Sequence, residues 1–189
     1  MHCGSLHIQN GICRECTYHP LHLSGLRTAS VYQEPLRSCI HALKYEGNTR
    51  LAEPLGLLLA HTYIVHALQA DVLVPMPLHT DRQRERGYNQ GQLLAEVCAK
   101  HVQVPVNSAL VLRHRATVAQ ASLKAAERQQ NVAGAFVCAP AYATGALVGR
   151  TIVIIDDICT TGATLEACAA PLFAAGARAV WGLVLARPM

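Results

Sequence analysis

The stretch Ile152 to Leu165, IVIIDDICTTGATL, brings two adjacent carboxylates together with a turn of small, hydroxyl-bearing residues. Asp156 and Asp157 repel each other unless they accept hydrogen bonds or face a cation, so their pairing suits ligand hydroxyls or a metal-bearing ligand. The turn from Cys159 to Ala163 lacks bulk, and its backbone N–H groups, with a helix N-terminus behind them, make a cradle for a phosphate dianion. A diol on the acids and a phosphate on the turn describe a ribose 5-phosphate. No lysine follows the glycine as in a Walker A loop, which disfavours a nucleoside triphosphate.

These groups need a rigid support. Ile152, Val153, Ile154 and Ile155 form an uninterrupted β-branched run, suited to a parallel strand buried on both faces. The acids then stand at that strand's carboxyl end, where open α/β sheets bind ligands. From Thr164 onward the composition is helical, with Pro171 expected to break or kink the helix. The motif resembles the phosphoribosyl pyrophosphate (PRPP) binding motif of type I phosphoribosyltransferases.

With 189 residues, the chain is long enough for one domain with a real core and a small appendage. Its composition is 51% hydrophobic but only 5% aromatic, so the core is aliphatic and alanine-rich. A net charge of +4 favours anionic ligands without establishing nucleic-acid binding. No membrane insertion is expected, because the apolar run Leu55 to Ala70 is interrupted by His61, His66 and Gln69. Eight cysteines and no export signal before Cys3 point to a reducing cytoplasm. Cys13 and Cys16 form a CxxC pair, and Cys3 is placed as the second member of an earlier one. Cys3, Cys13 and Cys16 are therefore tentative zinc ligands, with His2, His7, His19 or His22 as the fourth. The competing reading is a thiol-bearing tail. Cys39, Cys98, Cys138 and Cys168 read as buried small hydrophobes.

Along the chain, Ser30 to Gly47 suggests a short strand, a turn at Pro35 and a helix with Leu36, Ile40 and Leu43 on one face. Leu51 to Leu68 reads as a helix with Pro54 in its first turn. Asp71 to Val74 is the first strongly strand-like run of the core, and Pro75-Met-Pro77-Leu-His79 stiffens its carboxyl end. TDRQRERGYNQ, taken alone, is a solvated basic loop, placed where Arg82, Arg84 and Arg86 could meet a pyrophosphate. Gln92 to His101 is an amphipathic helix with Leu93, Leu94, Val97 and Cys98 inward. Ala109 to Leu112 is another aliphatic run. The basic segment Arg113 to Asn131 reads as a closing lid or as an exposed helix over Val118 to Gln130. Ala135 to Cys138 and Ala179 to Leu185 are strands, the latter closing the domain.

The ordered set LKYEGNTRLA (43–52), VPMPLH with RGYNQ (74–79, 86–90), ERQQNVAGAF (127–136) and IDDICTTGATL (155–165) resembles the ComF family, also called GntX-like. The resemblance covers nearly everything from about residue 30. It implies a type I phosphoribosyltransferase fold, a mainly parallel α/β sheet flanked by helices, over residues 30–189. Residues 1–29 form a cysteine-containing cap, a candidate zinc knuckle. It implies that Asp156 and Asp157 bind the ribose hydroxyls; that Thr160, Thr161, Gly162, Ala163 and Thr164 hold the 5-phosphate; and that Pro77, Leu78 and His79 face the pyrophosphate. Mg2+ would accompany PRPP, and Arg113, Lys124 and Arg128 would meet the charge of the departing pyrophosphate. The family usually opens with two CxxC pairs, of which this chain carries one and a remnant, so Zn2+ stays open. A PRPP sensor without turnover and a single-stranded DNA-handling competence factor are the alternative functions. The few aromatics argue against a base-stacking platform. The acceptor and the oligomeric state are not legible.

Overall fold

The computed structural model describes residues 21–116, 125–143 and 145–188. Among them, strands β1 (Gly25–Val31), β2 (Val72–Pro75), β5 (Thr151–Ile158) and β6 (Ala179–Arg187) form one sheet in the order β1-β6-β5-β2. Every pairing in it is parallel, with Val72 opposite Ile152, Thr151 opposite Ala179 and Gly25 opposite Trp181. β3 (Val111–Arg113) and β4 (Phe136–Cys138) make a separate antiparallel pair. The helices are α1 (Leu36–Tyr45), α2 (Ala52–Val65), α3 (Thr80–Arg86), α4 (Gln90–Val102), α5 (Ala125–Val132) and α6 (Ala163–Ala174). The expected fold class, a mainly parallel sheet flanked by helices, is the one the chain adopts.

The β-branched run of β5 is buried along its length, and its alternation divides the core in two. Ile152 and Ile154 point to a layer holding α6, β3 and β4, with Leu165, Leu172 and Phe136. Val153 and Ile155 point to the opposite layer, where α1, α2 and α4 contribute Ile40, Leu43, Leu55, Leu59 and Leu94. Asp156 and Asp157 therefore leave the strand toward different layers.

Several sequence expectations need revision. β1 begins at Gly25 and pairs with β6, so a boundary between residues 29 and 30 falls inside a strand of the sheet, and β1 precedes the run at Asp71. β6, expected to close the domain, lies inside the sheet between β1 and β5. The basic stretch after His79 is helix rather than loop. The His79 side chain accepts from the Asp81 N–H at 3.4 Å, and Gly87, at φ 81°, ends α3. Pro171 does not end α6, which runs on to Ala174. Arg113 is the last residue of β3, not the start of a lid. Within the described residues the expected helix over 118–130 is met by α5, which runs two residues past the expected end to Val132, and residues 117–124 lie outside the described residues.

Candidate functional site

Asp156 and Asp157 close the carboxyl end of β5, 8% and 2% exposed. The Asp157 N–H donates to Asp156 Oδ1 at 2.9 Å, which turns one carboxylate over the next peptide. From the opposite layer, Lys44 of α1 brings Nζ to 2.9 Å from Asp157 Oδ1. The acids thus do not simply repel: an ammonium group balances one of them. Burial opposes a charged Lys44, but the charge and hydrogen bond of Asp157 outweigh it and hold Lys44 above the ordinary lysine value. Burial first, then the neighbouring Asp157 charge, pushes Asp156 up to about 7, against the pull of Lys44 and Arg113. Asp157 Oδ2 is buried without a hydrogen-bond partner among the described residues. An acceptor left in that state is a place for a ligand donor.

Past Ile158 the chain turns at Thr160 and Thr161. Thr161 Oγ1 accepts from the Ala163 N–H at 3.4 Å, and Gly162, at φ 88°, caps α6 without a side-chain bond. This is the left-handed conformation that glycine adopts most easily. The first turn of α6 thereby opens into a cleft of about 360 Å³. Thr160, Thr161, Gly162, Ala163 and Thr164 all line it, together with Asp156, Asp157, Leu78 and Arg113. The sequence-expected acids, phosphate turn and one β-strand arginine therefore meet in one place.

Pro77 and His79 flank Leu78 at the end of β2, with His79 serving as the cap of α3. Arg113 reaches the cleft half-buried, its guanidinium 5.4 Å from the Phe136 ring centroid. Burial holds it below the ordinary guanidinium value, while the Asp156 charge pulls the other way. Arg128 lies in α5, whereas Lys124 is outside the described residues. Cys3, Cys13 and Cys16 are outside them too, and among the described residues no group of three His, Cys, Asp or Glu side chains could hold a metal ion. No helix among the described residues is long and apolar enough to cross a membrane.

Sequence reasoning missed the wall contributed by the β1–α1 unit: Tyr32, His41, Lys44 and Tyr45 line the same cleft, as does Gln90. Lys44 and Gln90 stood inside the motifs LKYEG and RGYNQ, and that was their signal. Gln90 Oε1 accepts from Arg86, and Asn89 caps α4 while donating to the Met76 carbonyl at 3.0 Å. The RGYNQ stretch thus fixes the end of β2 against the start of α4.

No family profile matches the chain. Among curated proteins, the DNA utilization protein YhgH of Escherichia coli K12 is 33% identical over 183 residues, 94% of this chain and 78% of that protein. Competence protein F of Haemophilus influenzae is 31% identical, covering 98% and 83% of the two chains. The chain belongs to the ComF family. A more distant relative, competence protein ComFC of Bacillus subtilis, is 28% identical over 92% of this chain and 71% of its own length. Among solved structures, the glutamine PRPP amidotransferase of B. subtilis overlaps 70% of this ComF-family chain and 25% of its own, at 21% identity and a TM-score of 0.45. TT1426 of Thermus thermophilus overlaps 70% and 72%, at 21% identity and a TM-score of 0.42. The fold class rests on the strand order and pairing described above, not on these partial overlaps.

Proposed function

We propose that this ComF-family protein is a phosphoribosyltransferase of the type I fold, binding PRPP with magnesium and passing its phosphoribosyl group to an acceptor. The observation that carries the reading is the convergence in one cleft of a buried acid pair and the first turn of α6 behind a left-handed glycine. The bond from the anomeric carbon to pyrophosphate breaks, a bond to the acceptor's nucleophilic atom forms, and the acceptor's proton is lost. No side-chain nucleophile is needed.

Asp157, with a buried acceptor oxygen to spare, suits a ribose hydroxyl. Asp156 beside it steadies positive charge developing on the sugar. Magnesium fits this donor set, since Asp156 and Asp157 offer the carboxylate oxygens that a hard cation prefers, and when bound it would offset the leaving group's charge. Arg113 adds a fixed cation on the side of β3.

The name of the YhgH relative connects that protein with DNA utilization. In this chain, the exposed arginines of α3 are partly balanced by local acids, Arg82 by Glu85 at 3.2 Å and Arg84 by Asp81 at 3.9 Å. That leaves the phosphoribosyl reading the better supported of the two. Its test is calorimetric titration with PRPP and magnesium, followed by a screen of nucleobases and other nucleophiles for pyrophosphate release. A hydrogen bond involving a charged group contributes roughly 1.5–3 kcal/mol. Asp157→Asn should therefore bind PRPP roughly ten- to a hundredfold more weakly. Equal affinity in that variant, or no binding by the parent at millimolar ligand, refutes the reading.

A further inference from the structure

The outer side of the glycine turn is held by a part of the chain that the proposed chemistry does not use. Leu21, His22 and Leu23 run across it just before β1. The Leu23 N–H donates to Glu166 Oε1 at 2.9 Å, and His22 Nδ1 lies 3.1 Å from Glu166 Oε2. Leu23 is 1% exposed and belongs to the core layer beneath α6. The Leu21 side chain stands directly over Gly162: a β-carbon at that glycine would come within 2.7 Å of Leu21 Cδ2. The strap is itself anchored, because the Ser24 N–H donates to the Val180 carbonyl at 2.8 Å and Ser24 Oγ accepts from the Val180 N–H at 3.1 Å.

Thr161 and Ala163 line both the ligand cleft and a second hollow of about 340 Å³, whose far walls include Leu21, His22, Gly134 and Phe136. The turn is thus a thin partition with the cleft on one side and the strap on the other. Glu166 lies in the first turn of α6, where a free carboxylate would repel an incoming phosphate. Its bonds to the strap direct it toward Leu23 and His22.

We infer that Glu166 is a positioning residue: bound by the strap at Leu23 and His22, it fixes the Thr160–Thr164 turn in its cradle shape and keeps its own charge off the phosphate. This inference rests on the phosphoribosyl reading for its ligand, but the shape of the turn can be measured without one. Glu166→Gln keeps an acceptor for the Leu23 N–H, and Glu166→Ala removes it. Hydrogen exchange of the ligand-free protein should be at least tenfold faster at the Gly162 to Thr164 amides in Glu166→Ala, unchanged in β5, and near the parent rate in Glu166→Gln. Leu21→Ala, which leaves α6 intact, should also speed exchange at the turn.

In calorimetry with PRPP and magnesium, Glu166→Ala should bind about tenfold more weakly and Glu166→Gln within threefold of the parent. Unchanged exchange at the turn in both Glu166→Ala and Leu21→Ala overturns the inference. So does tighter PRPP binding by Glu166→Ala, which would make the carboxylate a repelling charge only. If the parent binds no PRPP while Glu166→Ala still loosens the turn, the strap stands and the functional reading falls.

Discussion

Lys44 of α1 meets Asp157 on the same face of the sheet, and the two side chains are only 17% and 3% exposed. Removing one partner of such a buried pair strands the other charge, at a cost of about 3–5 kcal/mol. Because Lys44 touches solvent through the cleft, the lower end applies. Lys44→Met should destabilise the protein by about 3 kcal/mol, lowering Tm by roughly 6–12 °C for a chain of this size. Adding Asp157→Asn to Lys44→Met should recover at least half of the loss. Asp157→Asn alone frees a lysine that can turn into the cleft, so it should cost less than Lys44→Met. Thermal melts of the four proteins measure the coupling, and a Lys44→Met melt matching the parent would remove the pair from any account of stability. The sequence shows both acids plainly but not their counter-ion. Helical spacing marks Leu36, Ile40 and Leu43 as the buried face of α1, and Lys44 sits at the edge of it. Which strand end that edge meets depends on how the layers stack.

At the scale of elements, legibility followed apolar patterning. β5 declares itself by four consecutive β-branched residues, and all four are fully buried. β1 carries arginine, threonine and serine in its sequence GLRTASV and is an edge strand of mixed burial, so the short strand expected from Ser30 catches only its last two residues. α3 has no buried residue, and no apolar face could betray it. It is held by its two ends and by i,i+3 pairs between Arg82 and Glu85 and between Asp81 and Arg84. Contacts between helices are less legible still. Gly56 in α2 lets α4 approach so closely that a β-carbon there would fall 2.5 Å from Val97 Cβ and 3.2 Å from the Leu94 carbonyl oxygen. Gly56→Ala therefore overpacks this seam, and a loss of about 1–3 kcal/mol in urea unfolding is expected. Its PRPP affinity should stay within twofold of the parent, because the seam lies away from the cleft. A stability equal to the parent's would mean that the two helices separate at no cost.

For the molecule as a whole, the raised Asp156 couples stability to pH in a direction opposite to that of most paired carboxylates. Its folded value, about 7, lies above the ordinary aspartate value of 3.8, so between those limits the folded chain holds a proton that the unfolded chain has released. Stability then falls as pH rises across that window, and the penalty is complete above about pH 7. Lys44, raised in the fold, acts in the same direction but only at alkaline pH: its contribution is whole below the ordinary lysine value and is lost as pH rises through the higher folded value. Other ionisable groups contribute to the pH dependence as well, so the informative quantity is the difference between the parent and Asp156→Asn. The variant should gain on the parent steadily from pH 4 to 7 and hold a constant advantage above, as read from urea unfolding at each pH. In the proposed function, PRPP with magnesium would bring the metal's positive charge and hydroxyl donors to the same carboxylate, which favours its ionised form. Binding near pH 6.5 should therefore release a proton, detectable by calorimetry in buffers of different ionisation enthalpy and absent in Asp156→Asn. If parent and variant keep a constant difference in stability from pH 4 to 8, Asp156 is ionised throughout, and the coupling of fold, proton and ligand at the end of β5 is refuted.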